Sequence, residues 1–144
     1  MPDFIQSQAL TDDSALSVQP FHVTATLTSA AAATAVNLLP AASVRADKKV
    51  YVTGFTAFVN GATDWATTAT VKIQDTHTTP VDFITLDATA LDGNEIHHLG
   101  SDSVTVEAAV KSGTGGTADK GLQVKGDANG TGSNLIVTVW GFIK

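Results

Sequence analysis

The chain has 144 residues, enough for one domain and not comfortably for two. Its 21 Ala, 21 Thr and 12 Gly stand against a charged fraction of 15%, and it has no cysteine, which removes disulfides, thiolate metal sites and thiol nucleophiles together. The net charge of −6 leaves no excess cation to displace phosphate counterions, so no nucleic acid is expected as a partner, and an anionic membrane surface is disfavoured for the same reason.

Residues 1–20 read as an extended arm. Gln6, Gln8, Asp12, Asp13 and several serines dominate it, and its apolar residues, Phe4, Ile5, Leu10, Leu16 and Val18, fit no single period. Such an arm is expected to dock on something, and Phe4, Ile5 and Leu10 are its candidate contacts. Its start has no basic region followed by a long apolar run, so no signal peptide is expected. No window approaches about 18 apolar residues, so no membrane span is expected either.

A β-domain is expected over 21–144. Phe21, Val23, Ala25 and Leu27 alternate with His22, Thr24, Thr26 and Thr28, the signature of a half-buried strand. The alanine run from Ser29 to Ala35 is too short for a stable helix and reads as a loop or a single turn. Residues 49–60 predict a long strand with Gly54 as a bulge or point of close contact, and Asn60-Gly61 predicts a turn. Strands follow at 70–75, 81–86 and 103–110. A flexible loop is expected at 112–119, a short strand around Leu122 and Val124, and a last strand at 134–143. About eight strands without an amphipathic helix suggest an all-β, antiparallel sandwich or barrel; a two-sheet sandwich of jelly-roll type fits the count, though spacing does not encode the topology.

The last strand is apolar on both faces. Leu135, Val137, Val139 and Ile143 suit the core, while Ile136, Trp140 and Phe142 point the other way. The outer face of a sandwich sheet is normally wet, so something is expected to cover these three. The arm or a long loop would serve; another subunit is the sharper candidate.

No chemistry is legible. There is no Gly-x-Ser-x-Gly elbow, and nothing in the spacing brings Ser101, Asp102 or Ser103 to a histidine. His97 and His98 are adjacent, so on a strand they face opposite ways and cannot easily share an ion. Asp87 with Asp92-Gly93-Asn94-Glu95 offers oxygen ligands, but a tight turn with solvated acids explains them better. Trp65 and Trp140 could stack on a sugar, with Trp65 expected in a turn. No catalytic residue, metal or cofactor is expected.

Three stretches resemble a known family: Val50-Tyr-Val-Thr-Gly-Phe-Thr-Ala-Phe-Val-Asn-Gly-Ala-Thr-Asp-Trp65, Thr70-Val-Lys-Ile-Gln-Asp-Thr76, and Gly121-Leu-Gln-Val-Lys-Gly-Asp127 through Leu135-Ile-Val-Thr-Val-Trp-Gly-Phe-Ile143. They are similar to the head decoration, or cement, proteins of tailed bacteriophages of jelly-roll type. The resemblance implies a non-enzymatic structural protein of the virion. It implies a homotrimer seated on the outer capsid surface, with the major capsid protein as partner, holding neighbouring capsid subunits together. The rival expectation is a recognition module: a phage tail or fibre domain, or a carbohydrate-binding β-sandwich that uses loops near Trp65 and 112–119.

Overall fold

A computed structural model describes residues 18–66 and 70–144. It contains nine strands: β1 (Gln19–Leu27), β2 (Val36–Leu39), β3 (Val50–Ala66), β4 (Thr70–Asp75), β5 (Asp82–Asp87), β6 (Ile96–His98), β7 (Val104–Val106), β8 (Leu122–Gly126) and β9 (Thr131–Ile143). One helical turn, α1 (Ala108–Lys111), follows β7. The alanine run forms a single 3-10 turn at Ser29–Ala31.

The pairing is nested. β1 pairs with β9, β2 with β8, β3 with β6 and β4 with β5, all antiparallel. The chain is therefore one long double-stranded hairpin with its tip between β4 and β5. Rolling that hairpin brings β9 against β3 and β8 against β4. The result is a four-stranded sheet in the order β1-β9-β3-β6 and a five-stranded sheet in the order β2-β8-β4-β5-β7. This is the jelly-roll arrangement of two sheets. β7 is an extra strand on the edge of β5.

The core lies between the sheets. Phe55, Ala57 and Val59 of β3 and Leu135, Val137 and Val139 of β9 face Val71, Ile73, Ile84, Leu86, Leu122 and Val124 of the other sheet, and all are buried. At the hairpin tip, fully buried Asp75 organises two loops. Its Oδ1 accepts from the backbone N–H of His77 at 3.1 Å and Val81 at 3.0 Å, and its Oδ2 accepts from Thr117 N–H at 2.7 Å.

Four expectations need correction. β3 does not turn at Asn60-Gly61 but runs on to Ala66; the irregularity is absorbed by a register shift against β9 between Asn60 and Trp65, with Gly61 at φ 146°. Trp65 is accordingly no turn residue and is only 2% exposed in the core. The strand expected over 103–110 stops at Val106, because Ala108–Lys111 closes a helical turn whose alternation of Ala and Val mimics a strand. The 112–119 loop is pinned: Gly116 N–H bonds Val50 C=O, Asp119 N–H bonds Lys48 C=O, and Asp75 holds Thr117.

Candidate protein-interaction face

The two sheets present opposite outer surfaces. On the five-stranded sheet, outward positions are polar: Lys72 lies beside Lys125 and Thr85 in register, and buried Gln74 lies beside Gln123 and Asp82. Lys72 Nζ pairs with Asp82 at 2.9 Å, and that bond raises the Lys72 pKa. Such a face is at home in water.

On the four-stranded sheet the outward rows are apolar and aromatic. Register places Phe142 beside Tyr51, Trp140 between His22 and Gly54, and Ile136 between Thr26 and Phe58, with Phe58 next to Ile96 of β6. A row of threonines, Thr24, Thr138 and Thr56, crosses the middle, and the first two share a hydroxyl–hydroxyl bond of 2.9 Å. Ile136, Trp140, Phe142, Tyr51 and Phe58 are half-buried, and Ile96 is 62% exposed. A continuous apolar and aromatic row of this kind on the outer face of a sandwich sheet marks a candidate interaction surface.

Backbone detail shapes this face. Between Val52 and Gly54 the register against β9 shifts, so Thr53 is an extra, bulged residue whose hydroxyl donates to the Trp140 carbonyl at 3.3 Å. Bulges of this kind re-aim side chains. The shift puts Gly54 opposite Trp140, where a Cβ would overlap the indole. The missing side chain is what lets Trp140 lie against the backbone. His22 stacks on its other flank at 6.0 Å between centroids, and Tyr51 stacks on Phe142 at 4.9 Å. Beside Trp140 a hollow of about 250 Å³ is lined by Thr53, Thr56, His98 and Leu99; a smaller one of about 110 Å³ lies between Tyr51, Phe142 and the end of α1.

Ile136, Trp140 and Phe142, singled out from the sequence, are thus brought together. Phe4, Ile5 and Leu10 lie outside the described residues. The sequence reading missed Tyr51, Ile96 and Leu99. Tyr51 was hidden by the bulge, and Ile96 by the brevity of β6.

The other candidates stand elsewhere. His97 and Ser103 do meet, with Nδ1 and Oγ 2.7 Å apart, but they are 4% and 8% exposed, so the pair is sealed inside the fold. His97 Nε2 has no partner there, and burial holds the ring below the usual histidine range. Asp87 caps the 3-10 turn at Ala88–Ala90 by accepting from Thr89 N–H and hydroxyl, which lowers its pKa. Among the described residues no three His, Asp or Glu side chains are placed to hold a metal. Trp65, being buried, cannot stack on a glycan.

No protein-family model matches the chain, and no curated protein matches it. The fold does have a counterpart among solved structures. A chain in the structure described as the acidic stable capsid of Helicobacter pylori bacteriophage KHP30 superposes with a TM-score of 0.50 at 18% identity, over 88% of each chain. At that identity the likeness concerns the fold alone.

Proposed function

We propose that this chain is a structural protein of a bacteriophage virion, which binds the outside of the capsid and stabilises the lattice by cross-linking capsid subunits. The observation that carries this is the contrast between the two outer faces: one sheet is dressed for water and the other for a protein surface. The likeness in fold to a chain of a phage capsid structure supports the same reading. The proposal needs no catalytic group or cofactor. Trp140, with Gly54 beneath it, is the anchor. Half-buried surface aromatics ringed by apolar and hydroxyl side chains are the usual centres of binding energy at protein interfaces. Binding that favours the assembled shell over free subunits stabilises the shell by mass action. The trimer implied by the family resemblance belongs to this proposal.

The test is location and copy number. An antibody raised against the purified chain is applied to virions from the phage that encodes it and viewed by negative-stain microscopy. Dense labelling over the heads is the expected result. Label confined to tails would replace this reading with the tail or fibre one.

A further inference from the structure

Among the described residues β1 leaves the sandwich with an open edge unlike the other three. The remaining edge strands are short: four residues in β2, three in β6 and three in β7. β1 has nine, Gln19–Leu27, and pairs with β9 without a single register shift. Sandwiches normally protect such an edge with charge, bulges or brevity. β1 carries no charged residue and no bulge, and its one proline, Pro20, sits near its start. Its inward side chains show the consequence. Phe21, Val23 and Ala25 pack on the core yet stay only half-buried, whereas Val139 and Val137, which pair with Val23 and Ala25 on β9, are fully buried. Among the described residues the core is open along this edge, and no strand there pairs with the outward-facing backbone groups of β1.

We propose that a second copy of this chain covers this edge, β1 pairing antiparallel with β1 of the partner about a two-fold axis near Val23. The strand is complementary to itself. With Val23 on the axis, Phe21 faces the partner's Ala25, large against small, and Val23 faces its own mate. On the other side His22 faces the partner's Thr24, and no like charges meet. Cross-strand pairs of this kind are the unit of sheet stabilisation, and edge-to-edge addition supplies backbone hydrogen bonds as well. An axis perpendicular to the sheet gives the closed, isologous contact typical of homo-oligomers. It would join two four-stranded sheets into one of eight and set their aromatic outer faces side by side. The contact is separate from the outer face, so it can coexist with a trimer formed elsewhere on the surface.

The experiment uses the full chain at about 100 µM in sedimentation equilibrium, with hydrogen exchange of the β1 amides on the same sample. An even number of chains is expected, with β1 amides on both edges protected, and with protection of the open-edge amides lost on dilution. Val23→Lys is the probe. In a lone subunit the half-exposed position lets the ammonium reach water, whereas in the pair two ammoniums meet at the axis. The mass should halve, and mixing Val23→Lys with Val23→Glu should restore it. Folding of each variant is checked by circular dichroism. If Val23→Lys does not fold, the dilution dependence of wild-type exchange decides alone. An odd number of chains, open-edge amides that exchange freely at 100 µM, or a folded Val23→Lys variant of unchanged mass would each overturn the proposal.

Discussion

His97 faces inward from β6 opposite Ala57, bonded to Ser103 and otherwise without a partner. Burial lowers its pKa below 6.5; Glu95 and Asp92 pull weakly upward, and His98 pushes down. The folded chain therefore keeps it neutral where the unfolded chain would take a proton. Stability is fully present above pH 6.5, and falls as pH drops through that value and on toward the lowered folded pKa. His97→Gln should flatten this part of a plot of melting temperature against pH between 7.5 and 5, measured beside wild type. An unchanged acid limb would remove His97 as its cause. Asp75 is another buried polar residue with a specific task. Asp75→Ala strips the acceptor from three backbone N–H groups at the hairpin tip. A loss of about 2–4 kcal/mol in urea denaturation is expected. The sequence showed that His97 and His98 would diverge, because adjacent strand residues do. It could not show that Ser103 would meet His97 or that Asp75 would collect three donors, since these contacts depend on how loops close.

The outer face of β1-β9-β3-β6 is where strand and function connect. Alternation in β9 was legible, because Ile136, Trp140 and Phe142 share one parity and the core residues the other. Alternation in β3 was legible only in part, because Thr53 adds a residue and reverses the parity between Tyr51 and Phe58. No residue type announces a bulge of that kind; Gly54 drew notice, but the extra residue is its neighbour. β2 and β6 escaped notice because three or four residues carry too little pattern, and α1 passed for a strand because its Ala and Val spacing fits both periods. Gly54→Ala tests how the face is built. A methyl there would collide with the indole, and a stability loss of about 1–3 kcal/mol is expected in denaturant titration. Displacement of Trp140 should also weaken capsid binding. Full stability together with full binding would show that the indole does not need the glycine.

The jelly roll as a whole is a statement about partners far apart in sequence. β1 pairs with β9 across more than a hundred residues, and the four nested pairs follow from a rolled hairpin that strand spacing does not encode. Composition and alternation gave the class of fold; the order of strands needed the structure. What the assembled molecule then shows is asymmetry, with a charged and amide-rich sheet on one side and an aromatic sheet on the other. The central claim, that the aromatic side docks on a capsid, is met most directly by Trp140→Ala. Trp140 lies half-buried on the outer face and outside the core, so the fold should survive, as read by circular dichroism. Co-sedimentation with heads of the encoding phage stripped of this chain should show binding weakened about 30-fold, the loss of roughly 2 kcal/mol expected for an aromatic anchor. A folded Trp140→Ala variant that binds the heads as tightly as wild type would contradict the account.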